Sequence, residues 1–200
     1  MKNIVFDLGQ VLINWFPEEA FRQHFDDDAA IQAWFQRIDF NDWNRKQDGG
    51  RSFATAIAEA REQHGEHAAP LDGYLDRFGL TISQPNAETW QIAESLSAAG
   101  HGIYAITNWA AETWPEALRQ YPRLTDLFED IVVSGIEGLL KPEAAIYLTL
   151  CQRNDLRPED CLFIDDSLAN VQGARNVGMD AIHFTGAAEL RSELAVRGIG

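Results

Sequence analysis

The chain has 200 residues, 46% of them hydrophobic and 24% charged, an ordinary balance for a folded α/β domain and not for a disordered one. Its formal net charge is −15, from 31 acidic and 16 basic residues. Such a field repels polyanions at long range, so nucleic-acid and membrane partners are disfavoured, and an anionic small molecule would need local positive charge from a lysine, a helix N-terminus or a cation.

In chain order, the first apolar run is Asn3–Phe6, which Asp7 ends; it is too short for a signal peptide or a membrane span, and a cytoplasmic location is expected. From about Trp15 to Gln84 there is no strand pattern. Aromatic and alanine-rich helical patterns fill that stretch instead, at Pro17–Phe25, Ala29–Ile38 and Ser52–His64. It is too long for one crossover and too patterned for a loop, so it is read as a helical insertion over the carboxyl end of the sheet. Asn86–Ala99 then keeps Trp90, Ile92, Ala93 and Leu96 on one face before Gly100. Further strands are predicted at Gly102–Ile106, Asp130–Val133, Cys161–Ile164 and Ala181–Phe184, with helices at Pro142–Asn154 and Ser167–Val177. Alternation of this kind predicts a Rossmann-like, doubly wound parallel α/β sheet of residues 1–14 and 85–200, with a small helical-bundle cap at 15–84 inserted after the first strand. Cys151 and Cys161 show no CxxC or metal spacing and read as reduced, half-buried thiols.

Ligands of open α/β sheets bind beyond the carboxyl ends of the strands. The residues that follow the apolar runs are Asp7, then Thr107-Asn108, then Lys141 past a Gly-Leu-Leu turn, then Asp165-Asp166. One rim therefore receives three carboxylates, a hydroxyl, an amide and an ammonium. A carboxylate can attack phosphorus to give an aspartyl-phosphate that water cleaves. Crowded carboxylates require a cation, and hard oxygen ligands with room for water suit Mg2+. Lys141 can neutralise Asp7 and phosphoryl oxygens, which the Thr107 hydroxyl and the backbone around Leu8, Gly9 and Asn108 can hold. Gly9 frees the backbone to approach a phosphate and offers its carbonyl as a metal ligand.

These segments resemble, in order, the four motifs of the haloacid dehalogenase superfamily: Phe6-Asp7-Leu8-Gly9-Gln10-Val11, Ile106-Thr107-Asn108, Leu140-Lys141-Pro142, and Phe163-Ile164-Asp165-Asp166-Ser167 with Asn170 and Gly173. The resemblance implies that Asp7 is nucleophile and magnesium ligand, that the Gly9 carbonyl and Asp166 complete the protein ligands, and that Asp165 assists through a water. It implies a phosphatase acting on a small phosphorylated metabolite, such as a sugar phosphate. Asp-Leu-Gly with an amide and Val is most similar to the α-D-glucose-1-phosphate phosphatase branch. Where most phosphatases of the family carry a second aspartate two positions after the nucleophile, this chain has Gly9. Lacking that general acid, worth 10²–10⁴-fold, it is expected to favour leaving groups that need little protonation.

Two alternatives stay open on sequence: a metal-independent 2-haloacid dehalogenase, against which Asp165-Asp166 counts, and a non-catalytic binder of the same fold. A response-regulator receiver is rejected by motif order. Trp15, Trp43 and Trp109 could line a pocket or fill the cap, Gln47-Asp48-Gly49-Gly50 could dip toward the site or simply turn, and Arg45 and Lys46 could meet an anion or solvent. The protein is expected to be a monomer or homodimer.

Overall fold

A computed structural model describes residues 2–199. Five parallel strands form the main sheet: β1 (Asn3–Phe6), β4 (Gly102–Thr107), β5 (Asp130–Val133), β6 (Cys161–Asp165) and β7 (Asp180–His183), in the order β5-β4-β1-β6-β7. The strand alternation predicted from the sequence is therefore present, with β1 central. Ile4 and Phe6 of β1 point to one face and Val5 to the other, and all three are fully buried.

Two further strands, β2 (Ile13–Asn14) and β3 (Gln84–Pro85), pair antiparallel and clamp the two ends of the intervening segment together. Each has only two residues, which no periodicity argument detects. Between them lie α1 (Asp28–Ile38), α2 (Phe40–Asp48), α3 (Phe53–His64) and α4 (Tyr74–Thr81). Asp27 caps α1 by accepting from the Ala30 N–H, and Ser52 caps α3 by accepting from the Thr55 N–H. The helix expected at Pro17–Phe25 is instead two short 3₁₀ turns, Pro17–Ala20 and Arg22–His24, broken at Phe21. Phe21 drops into the interior, where its ring meets those of Trp34, Phe35, Phe40 and Tyr74. No apolar helical period announces α2 in the sequence, because its third buried position is Gln47, a polar residue that satisfies itself through the Trp43 carbonyl and Arg51.

The remaining helices are α5 (Ala87–Ala98), α6 (Trp114–Gln120), α7 (Arg123–Leu127), α8 (Ser134–Glu137), α9 (Ala144–Arg153), α10 (Leu168–Asn176) and α11 (Ala187–Val196). The predicted helix from Pro142 begins two residues later, at Ala144. The aromatic cluster of the insertion runs without interruption into the apolar layer on one face of the sheet, through Leu8, Val11, Leu12 and Ile13. The insertion is also fastened by hydrogen bonds: Gln120 Nε2 donates to the Gly79 carbonyl at 2.8 Å and the Phe53 N–H donates to Glu112 at 2.7 Å. Cys151 and Cys161 are free and fully buried, deeper than the half-buried state expected. Among the described residues, no helix is long and apolar enough to cross a membrane.

Candidate active site

The β1 ladder runs one residue past the strand, since the Asp7 N–H donates to the Ile164 carbonyl at 2.8 Å, and this fixes Asp7 at the rim. Its carboxylate takes the Leu8 N–H at 2.7 Å. The loop then folds back tightly: the Leu12 and Ile13 N–H groups both donate to the Leu8 carbonyl, and Gln10 turns with φ +57°. Gly9 needs no left-handed backbone, and a Cβ built there meets nothing within 4 Å. Neither strain nor crowding within the protein demands glycine at this position.

Lys141 is the centre of the site. It is 1% exposed, and its three N–H donors are all used: Asp7 at 2.8 Å, Asp165 at 2.7 Å and the Ile106 carbonyl at 2.9 Å. Asn108 holds the lysine backbone from both sides, accepting from its N–H at 2.9 Å and donating to its carbonyl at 3.2 Å. The Asn108 side chain thus secures the lysine loop, spending its oxygen and one of the two N–H donors of its amide. Asp165 is completely buried and saturated, by Lys141, by the Ser167 N–H at 2.8 Å, and by Asn170 at 3.0 and 3.1 Å. Thr107 is buried, and its hydroxyl has no partner. An orphaned buried hydroxyl costs about 1–3 kcal/mol, a cost that an acceptor supplied by a ligand would remove.

Asp166 stands exposed at the lip. Asp7, Asp165 and Asp166 each present a carboxylate oxygen, and these lie within 4.8 Å of one another. Burial, with the charges of Asp165 and Asp166, raises the Asp7 carboxyl above its ordinary value against the pull of Lys141. Partial desolvation and Asp165 raise Asp166 as well. Burial would lower the Lys141 ammonium, but Asp7 and Asp165 outweigh it and keep it charged. A cluster of hard oxygens that repel one another until a positive ion joins them is a donor set that fits a divalent cation.

The site residues expected from the sequence, Asp7, Leu8, Gly9, Thr107, Asn108, Lys141, Asp165 and Asp166, all come to the carboxyl ends of β1, β4 and β6 and the loop after β5. The cavity above them, about 180 Å³, has aromatic walls of Trp15, Phe53, Phe78 and Trp109 and a polar edge of Asn44 and Asp48. Phe53, Phe78 and Asn44 gave no sequence signal, because residues of an insertion are aimed at the site only by the fold. Trp43 belongs to the aromatic core of the insertion, and its Nε1 donates to the Ala56 carbonyl. Arg45 and Lys46 are exposed, with Lys46 paired to Asp42.

Fold and rim together mark a hydrolase built on a parallel, Rossmann-like sheet. Residues 1–178 match the model of the haloacid dehalogenase-like hydrolases, and the chain belongs to that family. It is 26% identical over 184 residues to a sesquiterpene phosphatase from Aspergillus oryzae, covering 92% of this chain and 90% of that one. It is 38% identical over 86 residues to a phosphoglycolate phosphatase from Nitrosospira multiformis, covering 42% and 37%. A haloacid dehalogenase family enzyme from Bacteroides thetaiotaomicron, in complex with magnesium, shares the fold with a TM-score of 0.73 at 23% identity, covering 98% of each chain.

Proposed function

We propose that this protein is a magnesium-dependent phosphatase that hydrolyses a small phosphorylated metabolite through an aspartyl-phosphate on Asp7. The observation that carries this reading is the buried Asp7–Lys141–Asp165 arrangement beside an unpartnered Thr107 hydroxyl. Lys141 holds the Asp7 carboxylate by one oxygen and opposes the burial that would protonate it, while Asp165, itself held by Asn170, fixes the lysine. The Thr107 hydroxyl and the backbone N–H groups of the β1 and β4 loops receive the phosphoryl oxygens. Asp7, the Gly9 carbonyl and Asp166 would hold Mg2+, with Asp165 behind them. The ion would neutralise the transferring phosphoryl group.

Residues 15–84 act as a cap whose aromatic walls face the leaving group, and the small cavity suits a compact, partly apolar or flat one. The phosphatases among the relatives support the reaction class, and the Asp-Leu-Gly-amide-Val loop supports a place near the α-D-glucose-1-phosphate phosphatase branch. Three crowded carboxylates would repel the carboxylate of a 2-haloacid, which weighs against the dehalogenase reading. The test is hydrolysis of p-nitrophenyl phosphate. Turnover is expected with Mg2+, none with EDTA, and at least a 10³-fold loss in Asp7→Asn with the fold retained. Activity untouched by EDTA would overturn the reading.

A further inference from the structure

We propose that Asp48, brought to the pocket by α2, is the general acid that protonates the leaving oxygen and then the general base for the hydrolytic water. This rests on the phosphatase reading above.

The chemistry sets the requirement. As Asp7 bonds to phosphorus and the P–O bond to the leaving group breaks, that oxygen takes the bond's electron pair and needs a proton unless it is already a weak base. The floor of the site has none to give. Asp7 is the attacking group, Lys141 has spent its three donors, Asp165 has both oxygens engaged, and Gly9 has no side chain. Asp166 lies in the carboxylate cluster assigned to the cation. The neutral polar groups on the pocket wall are not acids strong enough to replace it: Gln10 donates to the Trp15 carbonyl, Asn108 holds the Lys141 backbone, the Thr113 hydroxyl donates to the Ala110 carbonyl, and the Trp109 indole N–H, though unpartnered, does not give up its proton. Among the described residues lining the cavity, Asp48 is the titratable group that remains.

Its placement is fixed by the core domain and not by the insertion alone. The Asp48 carbonyl accepts from the Ser134 hydroxyl at 2.6 Å, and the same hydroxyl accepts from the Trp109 N–H at 2.9 Å, two residues beyond Thr107. Asn44 donates to the Asp48 carboxyl at 3.2 Å, and the Ala110 N–H reaches it as well. A short relay of bonds thus ties the end of α2 to the loop expected to hold the phosphate.

Burial pushes the Asp48 carboxyl up to about 7, against Arg45 on its own helix, the Ala110 N–H and Lys141 below; Tyr74 of α4 is the other titratable group it faces. A carboxyl of that strength is about half protonated at neutral pH and can pass a proton in either direction. In the first half-reaction Asp48 gives its proton to the leaving oxygen and becomes a carboxylate. In the second it takes a proton from the water that attacks the aspartyl-phosphate, so inorganic phosphate leaves and both aspartates are restored.

The decisive experiment compares Asp48→Asn with wild type in kcat/KM for phosphate esters whose leaving groups span nitrophenol to simple alcohols. The amide oxygen can still accept from the Ala110 N–H, and circular dichroism confirms that the variant folds. The expected loss is 10²–10⁴-fold on an alkyl phosphate and at least tenfold smaller on p-nitrophenyl phosphate, with the high-pH limb of the alkyl profile abolished. Equal losses on both esters, or none on either, overturn the assignment and leave the phosphatase reading intact. A wild type inactive on every ester with Mg2+ overturns both.

Discussion

Replacing Lys141 by Met tests the electrostatic core of the site. The side chains are of similar length, so little cavity forms, but the change strips one ion-pair partner from each of two buried carboxylates, at 2.8 and 2.7 Å. Removing one member of a buried ion pair costs about 3–5 kcal/mol, because the charge left behind is uncompensated. A domain of this size has about 5–15 kcal/mol in all, so the loss should be plain in urea unfolding followed by tryptophan fluorescence. The pH dependence has a definite sign. Asp7 is raised in the folded state, so its contribution to stability is full below its unfolded pKa and fades as pH rises through the folded one. Without the ammonium that opposes this rise, the fading should deepen, and Lys141→Met should be worse at pH 8 than at pH 5.5. A destabilisation below about 1 kcal/mol at pH 8 would refute the reasoning, as would a loss that is greater at the acidic pH.

Three further outcomes are expected. Without a cation, Asp7 and Asp166 are both raised, so Mg2+ should increase the melting temperature more at pH 8 than at pH 5.5. Asp166→Ala, at an exposed position, should erase most of that gain in a thermal scan while leaving metal-free stability close to wild type. Gly9→Ala should stabilise the metal-free protein by about 0.4–1 kcal/mol, since the Cβ has free space and the unfolded chain loses freedom; a chemical denaturation curve shifted the other way would mean the loop is strained. Trp15→Ala, which removes a half-buried pocket wall stacked on Phe40, should raise KM for an aryl phosphate several-fold more than for a small alkyl phosphate, as steady-state kinetics would show.

The sequence by itself determined the sheet and the floor of the site. Short branched runs read as buried strands when helices alternate with them, and Asp7, Thr107 and Asp165-Asp166 stand at the ends of such runs while Lys141 follows one past a short turn, so each was legible one motif at a time. Tertiary structure decided how they divide the work. Only packing shows that Lys141 has no donor to spare, that Asn108 serves the lysine backbone, or that the Thr107 hydroxyl is orphaned, because these are facts about distances between segments remote in the chain. The insertion hid the most. Phe53 and Phe78 line the cavity while Trp43 of the same segment lies in its aromatic core, and Asp48 sits before Gly49-Gly50 as any helix-ending residue would. A helix repeats its side-chain directions every 3.6 residues but carries no record of what stands opposite; that is set by Ser134 meeting the Asp48 carbonyl from 86 positions away.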